Sequence, residues 1–252
     1  MRVKNRLAGM LGAVMLVSQA AIVHAAELQV LAGGGIAAPL KELAAQFEAA
    51  TGHKLVIRFG TTPELIKMAT TGGPFDVAVV PVDVMKDAPA LAKFTPGAQT
   101  GIARVGLGVA VRSGAPKPDI STAEALKKTL LSAKSIASIP ASATGYLLDR
   151  VYARLGITEE MKARTKPQPT PAQIVESVAK GENELGVFLT NVLTAPGLDV
   201  VGPFPPELQL EVVYTGAVAA GAKEVNAAKA FLQFLTTPAA GAVIKAKGMT
   251  PG

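Results

Sequence analysis

The chain has 252 residues, with 25 Lys and Arg against 19 Asp and Glu, no cysteine and 4% aromatic residues. The lack of cysteine excludes disulfides and thiol chemistry. The formal net charge of +6 is scattered and forms no basic run interleaved with aromatic residues, so nucleic acid is not an expected partner.

Residues 1–25 have the pattern of a secretory signal peptide. Arg2, Lys4 and Arg6 precede an apolar run over residues 7–23, and small residues suited to a signal peptidase end the segment at Ala25. We predict cleavage after about Ala25 and a periplasmic protein; the alternative is a retained membrane anchor, for which the run is short. Cleavage leaves 22 Lys and Arg (25 − 3) against 19 acids, a net charge of +3. No later apolar segment is long enough to span a bilayer, so stable membrane insertion is not expected.

Strand patterns alternate with helical periodicity through the rest of the chain. Predicted strands cover residues 28–32, 55–59, 76–80, 105–111, 135–139, 185–189, 200–201 and 210–219. Predicted helices cover residues 37–50, 63–71, 122–132, 145–155, 171–180 and 225–247, the last with a break near Pro238. This alternation predicts an α/β fold with mainly parallel sheets flanked by helices.

Two stretches without a clear pattern divide the chain. Residues 95–102 precede one long predicted strand, and the proline-rich residues 202–206 precede another. We interpret them as two crossovers of a chain that leaves one lobe, builds a second and returns. The predicted units are lobe I over residues 26–104, lobe II over residues 105–204, and the return of lobe I over residues 205–252.

Three consecutive glycines, Gly33, Gly34 and Gly35, lie between the first predicted strand and the first predicted helix. Glycine lets a ligand approach the backbone closely, and a helix N-terminus offers unpaired N–H donors, so this junction suits an anion. The segment from Gly33 to Ala38 also matches the dinucleotide fingerprint G-x-G-x-x-A. That fingerprint needs an acidic residue about 20 positions later, but the end of the second predicted strand carries Arg58 instead. A secreted dinucleotide-binding protein is therefore a remote alternative.

Three further predicted helices begin with hydroxyl or proline residues that suit helix capping. Their starts are Thr61-Thr62-Pro63-Glu64, Ser142-Ala143-Thr144-Gly145 and Thr170-Pro171. Each start taken alone is explained by capping. In parallel α/β sheets, however, helix starts lie at the carboxyl ends of the strands, where ligands bind. We therefore predict that donors at these starts and at Gly34 and Gly35 face one another across a cleft and hold an anion.

The order of these segments resembles the periplasmic molybdate-binding proteins of ABC importers and their relatives. The similarity covers nearly all of the predicted mature chain and includes LQVLAGGG, FDVAVV, TGYLLDRVYARLGI, KGENELGVFLTN and AAKAFLQFLTTPAAGAVIKAKG. The resemblance implies a type II periplasmic-binding fold, in which two α/β lobes joined by two crossovers close on the ligand. It also implies a small anionic ligand, an ABC permease as candidate partner, and a monomer.

The resemblance places an anion site on five positions of this chain, namely Gly35, Thr62, Thr144, Pro171 and Leu189. Only Thr62 keeps the family's side-chain chemistry, because Gly35 lacks a hydroxyl, Pro171 lacks an N–H and Leu189 lacks a phenol. Each charge-assisted hydrogen bond lost to a compact tetrahedral oxyanion is worth roughly 1.5–3 kcal/mol. Since Gly35 also opens space, we expect a different and larger anion, such as an organic carboxylate.

Three arginines are candidate partners of such a carboxylate. Arg58 lies near the end of the second predicted strand, and Arg104 and Arg112 flank the long predicted strand. At least two of the three are expected to be surface cations. The preferred hypothesis is therefore an exported solute-binding protein of the molybdate-binder type that captures an anion, either an oxyanion or an organic carboxylate, between two lobes for an ABC importer.

The alternative hypothesis is an enzyme on the same scaffold. The resemblance extends to aconitate isomerase, an exported enzyme that moves a proton on a tricarboxylate, from trans-aconitate to cis-aconitate. Such chemistry needs a general base but no cofactor or metal, and His53, expected at the surface, is the only histidine after cleavage. The catalytic residues stay unknown; candidates by residue type alone are Asp76, Asp83, Lys67, Tyr146 and Tyr152. Turn capping is the favoured role for the two aspartates, and core packing for Tyr152.

Overall fold

The computed structural model describes residues 25–97 and 99–252, and the predicted signal peptide lies almost entirely outside them. The described strands are β1 (Glu27–Gly33), β2 (Lys54–Gly60), β3 (Val77–Pro81), β4 (Thr100–Arg112), β5 (Ile136–Ser138), β6 (Thr165–Pro167), β7 (Leu185–Leu189), β8 (Leu198–Pro203), β9 (Glu211–Val218) and β10 (Thr250–Pro251). The described helices are α1 (Ala37–Thr51), α2 (Thr62–Thr71), α3 (Ala88–Leu91), α4 (Ala123–Ser132), α5 (Ala143–Leu155), α6 (Thr158–Arg164), α7 (Pro171–Ala179), α8 (Thr190–Leu193), α9 (Val225–Leu235) and α10 (Pro238–Ala246). Two 3₁₀ turns, Gly34–Ile36 and Val82–Lys86, precede α1 and α3. The predicted α/β fold class is confirmed.

The described strands form one curled sheet in the order β2-β1-β3-β9-β4-β7-β5-β6, with β8 and β10 also paired to β4. β1 runs parallel to β2 and β3, and β5 runs parallel to β6 and β7. Every antiparallel pairing among these strands involves β4 or β9. The sheet is therefore mixed: it is parallel in the outer part of each lobe and antiparallel where the two long strands run through the middle.

β4 passes from one lobe to the other. Residues 100–106 pair with β9, and residues 107–112 pair with β7 and β8. At the changeover, the Gln209 side chain accepts a hydrogen bond from the Leu107 N–H at 2.8 Å and donates one to the Leu107 carbonyl at 2.9 Å. This amide therefore pairs with the β4 backbone just beyond the residues that pair with β9. The lobe boundaries predicted after residues 104 and 204 stay predictions. The first lies close to this changeover in β4, and the second lies at the start of the predicted return of lobe I.

The first strand is buried on both faces. Leu28, Val30 and Ala32 belong to the main core, whereas Leu31 belongs to a smaller cluster under α2 and α3. Because successive side chains of a strand point to opposite faces, this division follows from the sequence LQVLA. Helices therefore cover both faces of the lobe I sheet. The carboxyl ends of its parallel strands stay free to border the cleft.

The structure departs from the sequence predictions at the start of β4 and at several short elements. β4 begins at Thr100, five residues before the predicted start, so the predicted joint over residues 95–102 is partly strand. The pairing of β4 with β9 shifts register between Gly101 and Ala103, which breaks the apolar alternation that marks a strand. α6 escaped prediction because Met161 is its single buried residue, which gives no helical periodicity. β6, α8 and β10 are too short to show a period.

The C-terminal helical segment predicted over residues 225–247 forms α9 and α10, with a bend of 62° between them. No single helix in the described ranges has the length and apolar composition to cross a membrane, although this bent pair does when its two parts are counted together. Phe231 of α9 is fully buried and packs on the Phe47 ring of α1, with ring centroids 5.1 Å apart. The pair therefore contributes its apolar face to the core of lobe I.

Candidate functional site

A cavity of about 480 Å³ lies between the lobes, where strands end and helices begin. Its lobe I wall includes Gly33, Gly34, Gly35, Lys41, Phe59, Thr61, Thr62, Glu64, Pro81 and Tyr214. Its lobe II wall includes Ile139, Ser142, Thr144, Thr170, Pro171, Phe188 and Leu189. All four predicted helix starts therefore border one cleft, as does each position that the family resemblance indicated. Their role as ligand contacts stays a prediction.

The glycine junction forms a 3₁₀ turn that runs directly into α1. Gly35 is buried, and a Cβ atom built on it would overlap the Tyr214 hydroxyl oxygen and lie 2.5 Å from Leu189 Cδ1. The expectation that Gly35 opens space for a larger ligand is therefore wrong at this point. The phenol of Tyr214 and the side chain of Leu189 already occupy that space.

Tyr214 is a cleft residue that the sequence reasoning missed. Its ring also lies against Gly33, where a built Cβ atom would lie 2.7 Å from Tyr214 Cε1 and 3.1 Å from Pro81 Cδ. The phenol therefore sits beside the two glycines that flank Gly34. Burial raises the pKa of Tyr214 above its ordinary value, so the hydroxyl stays protonated at neutral pH. The only hint in the sequence was a polar aromatic residue inside the apolar run of β9.

The start of α2 contains two threonines with different roles. The Thr61 N–H and hydroxyl both donate to Glu64 Oε2, at 2.7 and 2.9 Å, which holds the first turn of the helix. The Thr62 hydroxyl is buried, and none of the described residues gives it a hydrogen-bond partner. Buried hydroxyls nearly always have partners in folded proteins. A ligand oxygen or a water in the cleft is the remaining source of one for Thr62.

On the lobe II side, some of the groups predicted to bind the anion instead form the N-terminal cap of α5. The Ser142 hydroxyl accepts the Gly145 N–H at 3.0 Å and donates to the Ile139 carbonyl at 2.6 Å. Gly145 does not border the cleft, because it lies against the Pro140 carbonyl and lines a separate cavity. Its predicted place in the anion site is therefore corrected, whereas Thr144, which is buried, does border the cleft.

The two lobes come close together at Gly34 and Pro171. A Cβ atom built on Gly34 would lie 3.4 Å from both Cδ and Cγ of the Pro171 ring. A second link joins Asn191 of α8 to lobe I, because its Nδ2 donates to the Gly35 carbonyl at 2.9 Å. The lobes are therefore in contact at the base of the cleft.

The charged groups of the cleft are not the predicted arginines. The Arg58 guanidinium turns away and donates to the Gly72 and Pro74 carbonyls at 3.1 and 3.2 Å, so its predicted place in the site is corrected. Arg104 is exposed and pairs with Glu211 at 3.9 Å, and exposed Arg112 also lies outside the cleft.

The charged residues among the described residues that line the cleft are Lys41 and Glu64. The Lys41 ammonium lies 5.5 Å from the centroid of the Phe59 ring. Glu64 already accepts two hydrogen bonds from Thr61, and the exposed Lys41 supplies the positive charge at the cleft wall.

None of the five candidate general bases lines the cleft. Asp76 is buried and accepts the N–H groups of Gln29, Lys223 and Glu224, a structural role in lobe I. Asp83 pairs with Lys86, Lys67 and Tyr146 are exposed, and Tyr152 is buried beside a separate lobe II cavity. The titratable cleft residues are instead Lys41, Glu64 and Tyr214.

The predicted surface position of His53 is also wrong. The residue is 9% exposed, its ring stacks on Phe47, and its Nδ1 accepts the Ala26 N–H at 3.1 Å. This histidine ties the start of β1 to the turn before β2. In the described part of the chain, no cluster of three or more His, Asp or Glu residues is arranged to hold a metal ion.

Comparisons with known proteins agree with this architecture. A family profile described as "Bacterial extracellular solute-binding protein" matches residues 28–250. An aconitate isomerase of Pseudomonas sp is 33% identical over 231 residues, covering 89% of this chain and 87% of that protein. The molybdate-binding protein ModA of Azotobacter vinelandii is 30% identical, covering 97% of this chain and 96% of that protein. The solved structure of the periplasmic molybdate-binding protein of Azotobacter vinelandii superposes with a TM-score of 0.73 at 23% identity, covering 88% of this chain and 98% of that one.

Proposed function

Because the chain belongs to the family of bacterial extracellular solute-binding proteins, we propose that it captures a small organic carboxylate between its two lobes. The observation that carries this proposal is the buried Thr62 hydroxyl, which borders the cleft and has no partner among the described residues. Helix N-termini beside it supply unpaired N–H groups and partial positive charge. Lys41 supplies a full positive charge at the same cleft.

The size and lining of the cleft favour an organic anion over a compact inorganic one. A volume of about 480 Å³ has room for roughly sixteen water molecules at about 30 Å³ each. A tetrahedral oxyanion contains only five heavy atoms. The side chains of Phe59, Pro171 and Leu189 would lie against such a small dianion without offering donors, whereas they suit the carbon skeleton of a carboxylate.

We further propose that the protein is exported to the periplasm and delivers its ligand to a membrane transporter. Residues 1–25 would direct the chain to the periplasm and be cleaved after about Ala25. The mature protein would act as a monomer without a cofactor and pass its ligand to an ABC permease. Radiolabelled ligand uptake by cells with and without this chain would test the delivery step.

The second candidate function is isomerisation of a tricarboxylate on the same scaffold. It is favoured by the 33% identity with an aconitate isomerase and by three titratable side chains at the cleft, Lys41, Glu64 and Tyr214. A proton shift needs a base that removes a proton from one carbon and a donor that returns one to another. Incubating the chain with trans-aconitate and following cis-aconitate by proton NMR decides between capture and conversion.

A ligand screen tests the proposed function. Residues 26–252 are melted with molybdate, tungstate, sulfate, phosphate, citrate, trans-aconitate and cis-aconitate, and each shift is followed by calorimetric titration. A ligand at a hundredfold excess over its Kd stabilises the folded state by about 2.7 kcal/mol, so a true ligand gives a clear shift. We expect a tricarboxylate to give the largest shift. A shift with molybdate or tungstate alone contradicts the proposal.

The variant Thr62→Val tests the observation on which the proposal depends. Valine keeps the shape of threonine but replaces the orphan hydroxyl with a methyl group, so stability without ligand should not fall. Affinity for the best ligand of the screen should fall about tenfold or more, because a hydrogen bond to a charged group is lost. Thr71→Val, at the far end of the same helix, is the matched control and should bind as the wild type does. Equal affinity of the Thr62→Val variant and the wild type would show that this hydroxyl does not contact the ligand.

A further inference from the structure

We propose that Tyr214 is a specificity-determining residue of the cleft, whose hydroxyl donates a hydrogen bond to one carboxylate group of the ligand. The inference rests on the proposed function, since it assumes an anion in this cleft. It goes further by naming the donor, which lies on the last long strand rather than at any helix start. It also names the part of the ligand that this donor contacts.

The backbone fixes the position of the phenol. Tyr214 lies in the middle of β9, paired with Pro81 of β3 on one side and Ala103 of β4 on the other. Its ring passes beside Gly33, and its hydroxyl reaches the space over Gly35 that a side chain at that position would otherwise fill. A strand in the centre of the sheet and two glycines therefore place one hydroxyl at the floor of the cleft.

The chemistry of this hydroxyl is that of a donor. Tyr214 is 2% exposed and borders the cleft, and its hydroxyl oxygen lies over Gly35, which has no side chain to pair with it. Burial favours the neutral phenol over the phenolate, so a proton is available to an anionic oxygen. A carboxylate oxygen in the cleft beside Gly35 would accept this proton in a charge-assisted hydrogen bond.

The opposite wall defines the class of ligand. Leu189 of lobe II approaches Gly35 from across the cleft and offers only methyl groups there. The floor of the cleft is thus polar on the lobe I side, at Tyr214, and apolar on the lobe II side. A tetrahedral dianion would expose part of its charge to Leu189 without a donor, which costs desolvation energy. A carboxylate on a carbon skeleton presents an oxygen to Tyr214 and carbon to Leu189.

The test compares two buried tyrosines. Tyr214→Phe removes only the hydroxyl, and Tyr152→Phe is the matched control, because Tyr152 is also a buried tyrosine but lies beside a separate lobe II cavity. With trans-aconitate as the probe in calorimetric titration, Tyr214→Phe should weaken binding about 10- to 100-fold. Tyr152→Phe should bind as the wild type does, and both variants should melt close to the wild-type temperature.

A second variant moves the hydroxyl donor from residue 214 to residue 35. In Gly35→Ser/Tyr214→Phe, the overlap with the phenol oxygen is removed and a hydroxyl is supplied from residue 35 instead. The Leu189 Cδ1 methyl, 2.5 Å from the new Cβ, has to move by rotation of its flexible side chain. The ratio of molybdate to trans-aconitate affinity should rise at least tenfold relative to the wild type. If the wild type binds no organic carboxylate, the proposed function and this inference both fail. If it binds trans-aconitate and Tyr214→Phe binds equally well, only the assignment of Tyr214 is overturned.

Discussion

A side chain introduced at Gly34 is expected to hold the two lobes apart. Gly34 faces the Pro171 ring across the cleft, and a Cβ atom on it would lie 3.4 Å from two ring carbons. Its φ angle is not in the positive region, so a larger residue causes no backbone strain there. Gly34→Val therefore changes the distance that the lobes can reach without changing the fold of either lobe.

The expected loss of ligand affinity follows from this contact distance. The Cβ atom of alanine fits at 3.4 Å with a small adjustment, whereas the two further methyl groups of valine have to overlap the ring unless the lobes separate. Overpacking of this kind costs typically about 1–3 kcal/mol. Because opening of the cleft relieves it, this cost applies only to the closed state. Ligand affinity should therefore fall by about 5- to 150-fold for Gly34→Val, and by much less for Gly34→Ala.

Calorimetric titration with the best ligand of the screen measures this loss, and small-angle X-ray scattering of the liganded proteins reports the separation of the lobes. Gly241→Val is the matched control, because Gly241 also faces a proline ring, Pro251, with a built Cβ 3.6 Å from its Cγ, but within lobe I. That variant should change thermal stability and leave affinity intact. Wild-type affinity in Gly34→Val would refute the reasoning, because it would mean that binding does not need the lobes to meet at this contact.

Two further predictions concern buried polar groups. Asp76→Asn should lower the free energy of unfolding in urea by about 2–3 kcal/mol, because the amide no longer offers a charged acceptor to the Gln29 N–H, while ligand affinity of the folded protein stays unchanged. A catalytic role for Asp76 would instead appear as lost turnover at unchanged stability. Asn191→Ala should weaken ligand binding by about 2- to 13-fold, because one hydrogen bond between lobes, worth about 0.5–1.5 kcal/mol, is lost at the Gly35 carbonyl. Thr194→Ala, which loses only a bond to the Asn191 carbonyl at the C-terminal end of the same short helix, should bind normally; equal losses in both would assign the effect to the helix.

The glycine junction and first helix were predictable because they depend on local sequence. A short apolar run fixes β1, helical spacing of Leu40, Leu43 and Phe47 fixes the buried face of α1, and Gly52 ends the helix in the left-handed conformation. Neighbouring positions along the chain carry all of this information. The helix starts at the cleft were predictable for the same reason.

The contents of the cleft depend instead on contacts between distant segments. The partner of Gly35 is Tyr214, which comes from the returning part of the chain, so sequence alone indicated open space where a phenol lies. The charge of Arg58 predicts an anionic partner, but the loop before β3 turns the Gly72 and Pro74 carbonyls toward its guanidinium group. Charge and residue type predict chemistry, whereas the fold decides which groups are already paired.

The geometry around the three glycines also separates the anion cleft from a dinucleotide site. A dinucleotide fingerprint uses glycines so that a pyrophosphate can approach the backbone at the strand-to-helix turn. Here the space beside Gly33 and Gly35 is taken by the Tyr214 ring and its hydroxyl, and Gly34 faces Pro171 of the other lobe. A pyrophosphate lying over this turn would have to displace a buried aromatic side chain from the centre of the sheet. The same glycines therefore argue for a ligand that meets the Tyr214 hydroxyl from the cleft, and against one that lies on the backbone itself.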